Sequence, residues 1–159
     1  MQPCDLAAAV LIQTECYAGT LLEDARVFAS RLTAFPDLTW VAVDAMGPCA
    51  YLFAYRSRLG GVTPLDGDFP SYDRADCLYL HDLAVSPRAA GKGIGPALVA
   101  HALVQGTEQK LRYSALVSVQ ESQKFWSHQG YSAYDRLDGD QAKNLASYQT
   151  KAIYMTRQL

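Results

Sequence analysis

Between Ala84 and Leu103 the chain reads AVSPRAAGKGIGPALVAHAL, with glycines at 91, 93 and 95 and Lys92 between the first two. Glycine at this density leaves the main chain bare where an apolar, helix-like run begins. A helix N-terminus carries about four amides without intrahelical partners and a partial positive charge, so a bare turn there suits a phosphate. Lys92 adds a mobile positive charge nearby, and Arg88 a second. Two phosphate motifs fail on spacing. A P-loop requires Ser or Thr after its lysine, and a dinucleotide turn requires a third glycine where Pro96 stands.

Just upstream, LYLHDLAV (Leu78 to Val85) sets His81 and Asp82 inside an apolar run. Polar side chains in such a run are costly unless they are satisfied or used. Either could accept a proton: His81 has the ordinary pKa for work near neutrality, and Asp82 is the carboxylate alternative. Strand alternation predicts that the two point to opposite faces. The competing reading is that one or both only hydrogen-bond a neighbouring loop.

The elements that must position these residues follow from periodicity. Asp5 can cap a helix running to about Tyr17. Thr20 and Glu23 have the capping-box spacing, and Ala25, Phe28, Leu32 and Phe35 then recur on one face until Pro36. LTWVAVDAMGPCAYLFAYRS predicts an antiparallel hairpin from Thr39 to Arg56. A long Gly-, Pro- and Asp-rich loop follows, from Leu59 to Cys77. Leu78 to Val85 reads as a central strand covered on both faces. The glycine turn opens a helix, with Pro96 in its first turn and Gly106 at its stop. YSALVSV predicts a strand, QESQKFWSHQGY a short helix ended by Gly130, and AIYMTRQL a last strand. Helix, helix, hairpin, strand, helix, strand, helix, strand is the order of an α/β or α+β sandwich around a mixed sheet. No repeat or linker-like shift interrupts it, so residues 1–159 are expected to form one domain.

Composition narrows the partners. Half of the 159 residues are apolar and 19% are charged, an ordinary globular balance. A net charge of −2, with a pI near 5.8, argues against nucleic acid. Cys4, Cys16, Cys49 and Cys77 lie too far apart for a zinc spacing, so no metal is expected. The apolar N-terminal run lacks a basic leader and reads as a first helix, which points to a cytoplasmic protein without a membrane partner.

Two segments carry a family resemblance. LYLHDLAVSPRAAGKGIGPALVAHAL resembles the central strand, pyrophosphate turn and helix of the GNAT superfamily of N-acetyltransferases, whose turn reads R/Q-x-x-G-x-G/A. LVSVQESQKFWSHQGY is similar to that family's next strand and helix, and the two come in the family's order. The resemblance covers nearly the full chain. It implies a mixed, mostly antiparallel central sheet flanked by about four helices, with acetyl-CoA as cofactor. The implied reaction moves an acetyl group to a primary amine of a small molecule or peptide, by direct attack on the thioester. Leu83, Ala84 and Val85 would pair with the pantetheine amides. Gly91, Lys92, Gly93, Ile94, Gly95 and Pro96 would surround the pyrophosphate with help from Arg88, and Phe125 and Trp126 would pack near the thioester.

The resemblance favours Asp82 as base, since many members carry an acidic residue there, and the choice between it and His81 stays open. Ala90 stands where the family has Arg or Gln. Trp126 stands where many relatives have a tyrosine that protonates the thiolate, with Tyr131 or Tyr134 as stand-ins. These two departures motivate an alternative, a catalytically silent acyl-CoA-binding module of the same fold. Asp66, Asp68, Asp73 and Asp76, with Phe69 and Tyr72, would border the acceptor cleft, although aspartates on such a loop read first as solubilising. Homodimers are common in the superfamily, and no stretch identifies an interface.

Overall fold

Every residue from Cys49 to Tyr55 is buried, which an alternating sequence could not achieve unless both faces of its strand were covered. The computed structural model, which describes residues 1–17, 19–148 and 151–159, shows why. Six strands, β1 (Thr39–Asp44), β2 (Gly47–Ser57), β3 (Cys77–Val85), β4 (Tyr113–Ser118), β5 (Ser132–Ala133) and β6 (Ile153–Gln158), form one sheet in the order β1-β2-β3-β4-β6-β5. Only β3 and β4 run parallel. Five α-helices accompany the sheet among the described residues: α1 (Leu6–Cys16), α2 (Ala25–Ala34), α3 (Ile94–Glu108), α4 (Gln123–His128) and α5 (Gly139–Ala146). The mixed, mostly antiparallel sheet is the expected one.

Alternation along β2 assigns the two layers. Phe28 of α2 packs edge-on against Tyr51 at 5.6 Å and Phe53 at 5.0 Å. Leu52 points the other way, beside its cross-strand partner Trp40, whose ring meets His101 of α3 at 5.4 Å. One face of the sheet therefore carries α2, and the opposite face carries α3.

Three local readings are corrected. The second helix starts at Ala25, not after Thr20, because Asp24 is its N-cap and accepts from the Arg26 amide at 2.8 Å. Gly106 lies inside α3 rather than at its end. A Cβ there would come within 2.9 Å of Leu159 and 3.1 Å of Leu78, so this glycine allows close packing on β3. The helix ends instead near Lys110, which takes a left-handed φ of 61°. Finally, β5 and α5 lie between the last two predicted elements. β5 has only two residues, and α5 is capped by Asp138, which accepts from the Gln141 amide at 2.9 Å.

Phe28 is fully buried between helix and sheet. Phe28→Ala is expected to destabilise the chain by about 3–5 kcal/mol, read by urea unfolding. A loss below about 1 kcal/mol would contradict the packing described.

Candidate active site

The site grows from an interruption in β3. Its antiparallel pairing with β2 steps from Ala54↔Leu80 to Phe53↔Asp82, which leaves His81 as an extra, unopposed residue. Its parallel pairing with β4 stops at Leu80↔Leu116. Beyond Leu80 the two strands are unpaired, and a cleft of about 490 Å³ occupies the opening. The bulge also overturns the expectation that His81 and Asp82 point to opposite faces. Asp82 stands opposite Phe53, on the α2 face, and the His81 ring contacts Phe69 and Glu23, which pack on that same side. One inserted residue cancels the alternation.

The two side chains have different surroundings. Asp82 accepts the Tyr17 hydroxyl on one oxygen and the Tyr51 hydroxyl on the other, both at 2.7 Å. Burial pushes its carboxyl up to about 6, and the two hydroxyls only partly offset that rise. The His81 side chain is 3% exposed, with Nε2 at 3.5 Å from Glu23 Oε2, while Nδ1 is buried without a hydrogen-bond partner. Burial and the nearby Arg31 charge push this imidazole below its ordinary value, against a smaller pull from Glu23. It is therefore neutral at pH 7. Glu23 is itself buried and paired with fully buried Arg31. Burial alone would raise its carboxyl, but the Arg31 guanidinium holds it well below the carboxylate range.

The glycine turn lies at the cleft mouth, next to Ala90, which lines it. Gly91 and Gly93 have φ of 74° and 75°, and a Cβ at either would meet nothing within 4 Å. Here glycine serves a left-handed turn that opens onto empty space. The first bond of α3 runs from the Ala97 amide to the Gly93 carbonyl, and among the described residues the amides of Gly91 to Gly95 donate to no protein acceptor. Gly95 is different. It is buried, and a Cβ would touch Phe125 and Val85 at 3.6 Å. Lys92 is exposed and makes no ion pair among the described residues. Arg88 is not brought to the turn: its guanidinium binds Asp44 and the Pro48 carbonyl (2.7 Å) on the β1–β2 hairpin.

The strand edge between Asp82 and the turn is also sorted by alternation. The Ser86 amide donates to Cys49 of the hairpin at 2.9 Å, so Ala84 likewise turns its backbone groups to β2. Leu83 and Val85 turn theirs outward, into the cleft. Ala84 therefore presents a methyl group, not the amide expected of it. The outward carbonyls are capped from the end of α1, Leu83 by the Tyr17 hydroxyl at 3.1 Å and Val85 by the Cys16 thiol at 3.2 Å. Burial and the neighbouring Glu15 raise the Cys16 thiol above its ordinary value, so it stays protonated and is a weak nucleophile.

Phe125 and Trp126 both line the cleft. Tyr131 and Tyr134 do not. Tyr131 is buried against Ser114, with its hydroxyl 2.6 Å from that side chain, and Tyr134 packs edge-on against Tyr154. Sequence reasoning missed Tyr17, Glu23 and Arg31 as residues of the site. The only local signal was Glu23 in a capping-box spacing, and that pointed elsewhere. Two aspartates of the long loop have structural partners: Asp68 accepts from Ser30 at 2.8 Å and Asp76 from the Leu59 amide at 2.9 Å. Phe69 is core, stacked on Tyr55 at 4.4 Å. Among the described residues, no acidic, His or Cys cluster could hold a metal, and no helix is long and apolar enough to cross a membrane.

The profile of the Acetyltransferase (GNAT) family matches residues 18–131, and the chain belongs to that family. Acyl transfer is thus its general class of chemistry. Among curated protein sequences, none matches this chain. Solved structures share its fold at low identity. Ard1 from Thermoplasma volcanium is 16% identical, with a TM-score of 0.74, over 100% of this chain and 94% of its own. Naa50 of Arabidopsis thaliana, in complex with the bisubstrate analogue CoA-Ac-MVNAL, is 14% identical, with a TM-score of 0.69, over 100% and 95%. GphF, a GNAT-like decarboxylase in complex with isobutyryl-CoA, is 14% identical, with a TM-score of 0.76, over 99% and 96%.

The raised Asp82 carboxyl has a measurable consequence. The folded chain holds this proton more tightly than the unfolded chain, so wild-type stability falls relative to Asp82→Asn as pH rises from the ordinary 3.8 to about 6. Between about pH 4 and pH 7 the variant should gain on the wild type by up to roughly 3 kcal/mol in urea unfolding. Parallel pH profiles would show that Asp82 is not the buried, titrating group.

Proposed function

We propose that residues 1–159 form a single acetyl-CoA-dependent N-acetyltransferase domain that acts on a primary amine of a small molecule or peptide. The observation that carries this reading is the juxtaposition at β3. The free amides of a left-handed glycine turn at the start of α3 lie at the mouth of a cleft that also holds a neutral, buried histidine with one unpartnered nitrogen. Family membership, and the coenzyme A groups named for Naa50 and GphF, support the choice of cofactor.

The residues fit such a group. Gly91, Lys92, Gly93, Ile94, Gly95 and Pro96 would hold the pyrophosphate, mainly through main-chain amides at the positive end of α3. Ala90 donates nothing there from its side chain, and a cradle built of backbone does not need it. Leu83 and Val85 would offer outward backbone groups to the pantetheine arm, with the Ala84 methyl, Phe125 and Trp126 as apolar walls. When bound, acetyl-CoA supplies an activated acyl group as a thioester. An outward amide of β3 serves to polarise the acyl carbonyl.

His81 acts as the general base: no protein donor occupies the lone pair of its neutral ring, whereas each Asp82 oxygen, though it keeps a second lone pair, is weakened as an acceptor by the tyrosine hydroxyl it holds. Both Asp82 oxygens already accept hydroxyls, so Asp82 holds Tyr17 at the cleft and supplies negative charge for a cationic amine. Direct attack on the thioester is consistent with the protonated Cys16 thiol, which is poorly suited to carry an acyl group. Tyr131 and Tyr134 lie outside the cleft, so neither stands in as the donor to the leaving thiolate; among the described residues, Tyr17 and Tyr148 are the tyrosines that line it.

Titration calorimetry should show coenzyme A binding. Gly93→Ala should weaken it by about tenfold or more, while costing about 1–2 kcal/mol of stability from left-handed strain. In a thiol-release assay across an amine panel, His81→Ala should lower kcat by about 100-fold or more and leave cofactor affinity unchanged. Absence of coenzyme A binding at millimolar ligand would sink the proposal. Binding without turnover of any amine would favour the silent module suggested by Ala90 and Trp126.

A further inference from the structure

The cleft has two ends of different character. Toward the glycine turn its walls are Val85, Ala90 and Phe125, and a Cβ on Gly95 would touch two of these side chains, Val85 and Phe125. Around Asp82 the walls are Leu21, Leu65 and Leu80, with Tyr17 and Tyr148. Chain position ties these walls together. Leu21 lies two residues before Glu23, and Leu80 immediately precedes His81. Leu65 precedes Asp66, whose amide reaches the Glu23 carboxylate at 2.9 Å.

At this second end the hydrogen-bond donors are already engaged. The Tyr17 hydroxyl donates to Asp82 at 2.7 Å, and the Tyr148 hydroxyl to the Thr63 carbonyl at 3.0 Å. The Glu23 amide donates to Gln13 at 2.7 Å, the Leu65 amide to Ser147 at 3.0 Å and the Asp66 amide to Glu23. Arg31, whose charge acts on both His81 and Asp82, is fully buried and engaged by the Glu23 carboxylate and the Gly67 carbonyl. Among the described residues no lysine or arginine lines the cleft, whereas Glu15, Glu23 and Asp82 do. Arg31 offsets the Glu23 charge. Asp82 has hydroxyl partners but no counter-ion paired with it, and with its carboxyl at about 6 it is mostly ionised at pH 7.5.

We propose that this end of the cleft selects an acyl acceptor whose primary amine sits on an apolar group and whose amine-bearing carbon carries no carboxylate. That describes a free arylalkyl or aliphatic amine, or the first residue of a peptide, and excludes a free α-amino acid. The inference rests on the N-acetyltransferase reading and narrows its acceptor. The ammonium form is drawn toward Asp82 as it enters, and the hydrocarbon part displaces water from Leu21, Leu65 and Leu80. A carboxylate beside the amine would meet the same negative field and find neither a cation nor a free donor. An anion taken out of water on those terms is strongly disfavoured. Selectivity thus comes as much from what the walls withhold as from what they contact.

The test is the thiol-release assay on the full-length wild type, with acetyl-CoA and matched acceptors at pH 7.5. Phenethylamine and phenylalanine differ by the carboxylate alone. Phenylalanine is the weaker base and has the larger neutral fraction, so basicity cannot produce a deficit. Phenylalaninamide, compared per neutral amine, stands for a peptide amino terminus. The better of phenethylamine and phenylalaninamide should exceed phenylalanine in kcat/KM by about 100-fold or more, and whichever is better identifies the source of the amine. Ethylamine should be poorer than phenethylamine by about tenfold or more, having lost the apolar area. A preference over phenylalanine below about tenfold, or ethylamine equal to phenethylamine, overturns the proposal. Leu65→Arg, at a half-buried position, supplies the missing cation and should narrow the preference by about tenfold; an unchanged preference overturns the placement of the acceptor against this wall. A wild type that turns over no amine overturns the acetyltransferase reading beneath it instead.

Discussion

The parting of β3 from β4 after Leu80 is the constraint from which the rest of the site follows. A parallel pair normally consumes the backbone groups of both strands, and here it stops while β3 continues to Val85. The freed edge presents backbone groups at Leu83 and Val85 to a cleft rather than to a neighbouring strand. The bulge at His81 sits at the same point and turns both acid–base candidates to the α2 face. The glycine turn follows directly on β3 and starts α3, on the opposite face. One strand therefore runs from His81 and Asp82 to the glycine turn, and its own backbone bridges them. In the proposed reading this brings a phosphate site and a proton acceptor together on one strand and the turn that follows it.

The buried Glu23–Arg31 pair has a different role. Two ions taken out of water recover their desolvation only when geometry and additional hydrogen bonds are favourable. The requirement is met here by Gln13 from α1, by Asp66 and Gly67 from the long loop, and by α2 itself. The pair acts as a joint between α1, α2 and the long loop. Arg31 also lies over the Phe69 ring at 4.9 Å, which ties the charged joint to the aromatic core. The loop's length is thus explained by two anchors, Phe69 in the core and Asp66–Gly67 on the ion pair, and less by solubility.

Tyr17 shares its one hydroxyl hydrogen between Asp82 and, at longer range, the Leu83 carbonyl, and Cys16 donates to the Val85 carbonyl. These contacts satisfy acceptors that the departing β4 leaves unpaired. They leave the outward amides of the same residues open. The exposed edge is therefore half capped by the protein, and the remaining half has the donor character that an acyl carbonyl or a pantetheine carbonyl requires.

Taken alone, the order of amino acids determined the features that local physics controls. Apolar periodicity marked α1, the hairpin, β3, α3, β4, α4 and β6, because a strand or helix buried on one or both faces imposes its period on its own residues. Glycine marked the turn at 91–95, because left-handed backbone excludes most other residues. His81 and Asp82 stood out as polar residues in a buried run, and both line the cleft. Local signals failed where one residue type serves two ends: Glu23 fits a capping box equally well and instead became a buried ion, and Gly106 fits a helix stop and instead allows close packing. β5 and α5 were too short and too polar to announce themselves. The tertiary structure alone decided that Tyr17, Glu23 and Arg31 meet β3, that a bulge puts His81 and Asp82 on one face, and that Arg88 binds the hairpin. Those outcomes depend on where buried donors and acceptors separated by tens of residues find partners, and such pairing leaves no period in the chain.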